Sequence, residues 1–311
     1  MPIGKQLGVT MLKTLSRLFV VAMGSTLASL TYNPVQAHAG LEQEVEIKAQ
    51  QLTDGIYVLF GRGGNIGLSV GEDGAYIIDD QFAPLSDKIS TAIKNITEQP
   101  VRFVINTHWH GDHTGGNENF GKQGAVIVAH DNVHQRMSTK QNLFGREIEP
   151  AAKIAQPSVT YKEQMSLRLN NDNMRVYHVA NAHTDGDSII FFEQDNVLHM
   201  GDCYFNIGYP FVDTGSGGSI DGYIAALEKG LSLANDDTQI IPGHGPMANK
   251  EQMTQYVGML KDIRNKVADL KVDGKSLEEV LAAKPSAKYD KENGQAFIKP
   301  EQIVTAIYNS L

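Results

Sequence analysis

From Val45 to Asp79, short apolar runs that alternate with polar positions are cut by turn formers: GIYVLF, GRGGN, IGLSV, GEDG and AYIID follow one another. A period of two sends successive side chains to opposite faces, so these runs predict a meander of strands. In PLSDKISTAIKNITEQ the period changes. Leu85, Ile89, Ala92, Ile93 and Ile96 share one helical face, which predicts a helix leading into the strand RFVIN, and AVIVAH predicts another strand soon after. The second half repeats this style. QMSLRLN, MRVYHVA, SIIFFE and NVLHM read as strands, SIDGYIAALEKGLSLA as a helix with Ser219 as N-cap, and TQIIPGHG as a strand running into a glycine-rich turn. After Pro246 the pattern is helical. Met253, Val257, Leu260, Ile263, Val267 and Leu270 form one stripe, Ser276 and Glu279 suit a capping box, and Pro300 suits the start of a last helix. RFVINTH and RVYHVANAH echo each other too faintly to count as a repeat. No low-complexity linker interrupts the chain, so one mixed α/β domain over residues 40–311, ending in helices from about residue 249, is expected.

The first residues break this pattern. Lys5, Lys13 and Arg17 precede the mostly apolar run LFVVAMGSTLASL, and VQAHAG supplies small residues at Ala37 and Ala39. These are the parts of a secretory signal peptide over residues 1–39, cleaved after Ala39. A membrane span needs roughly 20 consecutive apolar residues, and this run is shorter and interrupted by Gly, Ser and Thr. The expected location is the periplasm or the extracellular medium, with no membrane attachment after cleavage.

Charge narrows the partners. The chain of 311 residues carries 27 Lys and Arg against 36 Asp and Glu, a net charge of −9, and loss of the basic leader makes it more acidic. That disfavours nucleic acid and anionic membrane surfaces and leaves a small molecule as the expected partner. Cys203 is the only cysteine, so no disulfide forms within the chain even in an oxidising compartment. The sequence is silent on oligomeric state.

The chemistry concentrates in THWHGDH, where His108, His110, Asp112 and His113 fall within six residues directly after an apolar strand. On an extended backbone His108 and His110 project to the same side, and a turn at Gly111 lets Asp112 and His113 approach the same point. Imidazole and carboxylate donors at this density suit a divalent metal, zinc above all. His183 in NAHTDGD, Asp202 in HMGDC and His244 in PGHG stand where later strands end, in loops able to display functional groups. His130, His134, His178 and His199 lack companion ligands and are read as structural or surface residues.

In their order along the chain, YIIDD, THWHGDH, AHTDGD, GD and PGHG resemble the motifs of the metallo-β-lactamase superfamily over roughly residues 50–250. The resemblance implies a four-layer αββα sandwich with two metals at one edge. It implies that His108, His110 and His183 hold one metal, that Asp112, His113 and His244 hold the other, and that Asp202 bridges them. By the same resemblance Asp79 orients a ligand histidine. The expected activity is hydrolysis of an amide or ester bond, in a lactam, lactone or thioester, by a metal-bound hydroxide formed near neutral pH. Asp112 would orient the attacking water or carry its proton.

Several readings compete within that class. A β-lactamase proper is disfavoured because DCYFNIGYP lacks the lysine that grips a substrate carboxylate in many such enzymes; Arg62 in the GRGGN turn is a candidate replacement, against the plainer reading of a solvated arginine. Iron is the rival metal and an iron-dependent sulfur oxygenase the rival enzyme, while a non-catalytic zinc-binding protein is the alternative outside enzymes. Asp202 and Cys203 compete as ligands, since neighbours on a strand face opposite ways; GD favours Asp202.

Overall fold

The computed structural model describes residues 45–311, so the expected signal segment 1–39 and its cleavage site lie outside the described residues. In chain order the elements are β1 (Lys48–Gln51), β2 (Ile56–Phe60), β3 (Ile66–Gly71), β4 (Gly74–Ile78), α1 (Ser86–Lys94), β5 (Val101–Ile105), α2 (Gly111–Thr114), α3 (Asn117–Lys122), β6 (Val126–His130) and α4 (Asp131–Ser138). There follow the hairpin β7 (Gln141–Leu143) and β8 (Arg146–Ile148), then β9 (Val159–Tyr161), β10 (Gln164–Leu169), β11 (Asp172–His178), β12 (Ser188–Phe192) and β13 (Val197–His199). The last part holds α5 (Ile220–Leu233), β14 (Gln239–Ile241), α6 (Lys250–Val272), α7 (Leu277–Ala283), α8 (Asp290–Asn293) and α9 (Pro300–Ser310).

Seven strands form a sheet in the order β1-β2-β3-β4-β5-β6-β9, and five form a second in the order β10-β11-β12-β13-β14. Alternation along the strands sorts their side chains into layers. Tyr76 and Ile78 of β4, Ile105 of β5 and Val128 of β6 meet Val176, Ile190, Phe192 and Ile241 between the two sheets. The intervening Ala75, Ile77, Val104 and Ile127 face the other way, against Leu85, Ile89 and Ile93 around α1 and Phe120 of α3. Across the second sheet, Ile189, Leu198 and Ile240 pack on Tyr223 and Leu227 of α5 and on Leu260 and Ile263 of α6. Three apolar interfaces therefore separate four layers, helices, sheet, sheet, helices, and each fully buried aliphatic side chain contributes roughly 1.5–3 kcal/mol.

The pairing directions place the loops. β4, β5, β6 and β9 run parallel, as do β13 and β14, while the other neighbours are antiparallel. Parallel neighbours need crossovers, here α1 between β4 and β5 and α5 between β13 and β14. The segments that follow β4, β5, β11, β13 and β14 carry Asp79, His108, His183, Asp202 and His244, and they converge at one edge of the sandwich. Caps at Ser219 and Ser276 match the sequence, the latter as a full capping box with Glu279. The first helix is shorter than its pattern: α1 ends at Lys94, and Ile96 packs on the core from beyond it. Among the described residues no helix is long and apolar enough to cross a membrane.

Candidate metal centre

Two groups of side chains bring single donor atoms within 4.8 Å of one another: His108, His110, His183 and Asp202 in the first, Asp112, His113 and His244 in the second. Asp202 stands between them. Its Oδ2 lies 3.5 Å from His183 Nε2 and 3.8 Å from His108 Nε2, whereas its Oδ1 lies 3.0 Å from His113 Nε2 and 3.4 Å from His244 Nε2. Asp112 Oδ2 closes the second group, 3.3 Å from His244 Nε2 and 3.8 Å from His113 Nε2.

The outward nitrogens of these rings fix the character of the inward ones. His183 Nδ1 lies 2.7 Å from the carbonyl oxygen of Phe211, which can only accept, so this nitrogen carries the proton. His110 Nε2 lies 3.1 Å from Asp213 Oδ2, and His113 Nδ1 lies 2.7 Å from Asp79 Oδ2, so these also donate. Thr107 Oγ1 donates to Asp79 Oδ2 at 2.8 Å and is left to accept from His108 Nδ1 at 3.0 Å. In the neutral rings of His108, His110, His113 and His183 the inward nitrogen is then a lone pair. His110 Nδ1 and His183 Nε2 face each other at 2.9 Å, and His113 Nε2 and His244 Nε2 at 3.3 Å. Lone pairs at such separations repel unless a proton or cation lies between them.

Buried orphan atoms point the same way. His108 Nε2 and Asp202 Oδ1 have negligible exposure and no aligned hydrogen-bond partner. With no cation present, burial and then the charge of His113 push His108 well below the usual histidine range. Burial also opposes a proton on His113, but the Asp202, Asp112 and Asp79 carboxylates overrule it and hold that ring well above its usual range. His244 is likewise pulled up against burial, to about 9, chiefly by Asp202 and Asp112. Carboxylates that recruit protons onto neighbouring imidazoles mark a place that favours positive charge, and the His/Asp donor set is compatible with a divalent metal site.

Every residue that the sequence placed at the metals therefore meets at this edge, but two local expectations are corrected. Asp202 and Cys203 do not lie on a strand: β13 ends at His199, and Gly201 with φ 50 starts a 3-10 turn over Gly201–Cys203. Strand alternation therefore does not choose between them; the turn does. It sends Asp202 to the histidines and Cys203, 1% exposed, into the apolar core beneath α5, where burial, then Asp187, pushes its thiol well above the usual range. Likewise the turn after His110 is the short helix α2 and not an irregular loop. Arg62 is exposed and does not line the cavity that opens onto the histidines. Of the four histidines read as structural, His130 and His178 stack in parallel with centroids 3.6 Å apart, and His199 Nε2 lies 3.0 Å from the backbone oxygen of Asn65.

Other groups escaped the sequence reading. Asp213 orients His110. Asn65 clamps the His244 loop, donating through Nδ2 to the Pro242 and Gly245 oxygens at 2.9 Å each and through its backbone to Gly243 at 2.7 Å. Gly64 and Gly243 are required where they stand, because a Cβ would overlap the His113 ring at the first and Asp202 Oδ1 at the second. A cavity of about 370 Å³ opens onto the cluster, lined by His110, Asp112, Asp202 and His244 together with a wall of aromatic and aliphatic side chains.

A family profile described as the Metallo-beta-lactamase superfamily matches residues 59–244. The chain is 23% identical over 190 residues to a Beta-lactamase-like protein 2 homolog of Caenorhabditis elegans, across 58% of this chain and 56% of that protein. It is 25% identical over 173 residues to a Hydroxyacylglutathione hydrolase of Polaromonas sp., across 55% of this chain and 59% of that protein. The chain thus spans little more than half the length of these curated relatives. A Metallo-beta-lactamase from Pontibacter korlensis superposes with a TM-score of 0.59 at 17% identity, over 70% of this chain and 100% of that chain. A double mutant of the sec-alkyl sulfatase PisA1 superposes with a TM-score of 0.69 at 15% identity, over 88% of this chain and 51% of that chain. At these identities the superpositions establish the fold and nothing finer.

Proposed function

The chain belongs to the metallo-beta-lactamase superfamily, and on that premise we propose that it is an exported hydrolase with two zinc ions per chain, acting on an amide or ester bond of a small molecule. The observation that carries this reading is the position of Asp202, one carboxylate oxygen toward each group of donors. A divalent metal bound there would supply Lewis acidity and lower the pKa of a bound water toward neutral. His108, His110 and His183 would hold one ion and Asp112, His113 and His244 the other, with Asp202 shared.

The chain's own groups do the rest. Asp79, wholly buried, accepts from Thr107 and His113 and so locks two ring orientations at once. Burial raises the Asp112 carboxyl, but His113 and His244 outweigh it and hold it at about 2. Asp112, which also lines the cavity, would orient the attacking water. Hydrolysis adds the water's OH to the acyl carbon as the bond to the leaving group breaks, and its proton ends on the leaving group. The apolar wall keeps other water from the acyl carbon.

Elemental analysis of purified protein, followed by a lactam, lactone and thioester panel, tests the proposal. It predicts zinc and turnover of at least one class. Bound iron with oxygen consumption would assign the oxygenase chemistry instead, and metal without turnover across the panel would leave a zinc-binding protein.

A further inference from the structure

The cavity over the metal cluster is built for one kind of molecule. Its polar lining consists of His110, Asp112, Asp202 and His244, all members of the cluster, and of Tyr209, whose hydroxyl is committed to Asp290 Oδ1 at 2.8 Å. Everything else on the wall is apolar, and among the described residues that line it there is no lysine or arginine. A charged or hydrogen-bonding tail entering this space would lose its hydration and find no partner.

Three phenylalanines from separate segments form the mouth. Phe144 stacks on Phe211 at 4.9 Å, and Phe297 stands edge-on to them at 6.1 and 6.5 Å. Phe211 in turn stacks on the His110 ring at 5.8 Å, so the apolar surface runs unbroken from the mouth to the cluster. Phe144 is 62% exposed and Phe297 69%, joined by Ile207 at 53%. Phe144 also has φ 53, followed by Gly145 at φ 75, at the tip of the β7–β8 hairpin. A two-residue hairpin turn requires positive φ at both central positions, so the turn itself holds Phe144 at the tip with its ring exposed. Large exposed apolar groups that converge on a cavity indicate that something apolar covers them in use.

We infer that the substrate carries an uncharged apolar tail, an alkyl chain or aryl ring, on one side of the bond that is cleaved, and that Phe144, Phe211 and Phe297 hold this tail while the reacting group sits at the cluster. The inference rests on the hydrolase reading for the identity of the reacting group, but the tail site stands on the cavity alone. It sets this chain apart from enzymes that grip a substrate carboxylate beside the reacting bond.

The test uses zinc-reconstituted protein with alkyl-substituted γ-lactones and S-ethyl thioesters whose tails grow from about two to about eight carbons, each beside a counterpart of equal length ending in a carboxylate. The expected kcat/KM rises roughly two- to fourfold per added methylene until the cavity is full, mainly through KM, and the terminal carboxylate abolishes the gain. Phe144→Ala and Phe297→Ala change exposed side chains, so they fold, and both flatten the length dependence, while Phe297→Leu restores most of it. A second readout needs no turnover: calorimetry with neutral fatty amides should show tighter binding with length and about tenfold weaker binding in each alanine variant. A flat or inverted length profile, preference for the carboxylate-ended series, or amide binding independent of length would overturn the inference. Length-dependent amide binding without turnover of any lactone or thioester would support the tail site and count against the hydrolase reading.

Discussion

Replacing Asp213 separates a tuned metal site from a loose collection of donors. Asp213 is 6% exposed, its Oδ2 accepts from His110 Nε2 at 3.1 Å, and its Oδ1 accepts from the Ser216 backbone at 3.1 Å. Burial works against its charge, but the hydrogen bonds from His110 and Ser216 hold it below the usual carboxylate range, so the bond to His110 is charge-assisted. In Asp213→Ala, His110 is free to move its proton to Nδ1, the atom that faces His183, and to rotate. Loss of such a partner typically weakens metal binding 10- to 100-fold, or about 1.4–2.7 kcal/mol, in line with about 1.5–3 kcal/mol for a hydrogen bond to a charged group. Asp213→Asn keeps an acceptor without the charge and should fall between the two. The assay is competition for zinc against a chromophoric chelator, run beside thermal melts of the metal-free proteins, because the lost cap at Ser216 should itself cost about 1 kcal/mol. Zinc affinity in the alanine variant within twofold of the parent would refute the tautomer argument, since His110 would then need no partner to present its lone pair.

Three further outcomes follow from particular groups. Cys203→Ser should retain the full metal complement by elemental analysis and lose about 1–3 kcal/mol of stability, because a hydroxyl replaces a thiol in an apolar pocket; loss of a metal would place sulfur among the ligands. In metal-free protein His244, raised to about 9 from 6.5, stabilises the fold fully below about pH 6.5 and loses that contribution as pH climbs through 9, at most about 3 kcal/mol. Melting temperature should fall over that window without zinc and hold with it, and a flat metal-free profile would contradict the charge assignment. Export predicts an intact mass, from a periplasmic extract, that begins at Gly40; a full-length cytoplasmic product would overturn it.

What the sequence revealed and what it hid follow from the range over which each interaction acts. THWHGDH carries its donors on one short stretch after an apolar strand, and the loops with His183, Asp202 and His244 announce themselves by strands that end in turn formers. Asp213 gives no such signal, because it meets His110 across 103 residues, and Asn65 meets Gly245 across 180. NVLHMGDC reads as a strand continuing past Asp202, whereas the chain leaves the strand at Met200, which takes helical backbone, and turns through the left-handed φ of Gly201. The β7–β8 hairpin was missed because its six strand residues are all partly or fully exposed, which leaves no buried face to impose a period. Phe144 and Phe297 lie in separate segments, and only the fold brings their rings together.

The most direct test of the central claim is the zinc-to-protein ratio of protein reconstituted with excess zinc and freed of weakly held metal, measured beside the His110→Ala and Asp202→Ala variants. Two ions per chain in the parent, with fewer in each variant, is the result predicted by donors arranged on both sides of Asp202. A parent that retains one ion or none, or variants that retain two, would contradict the account.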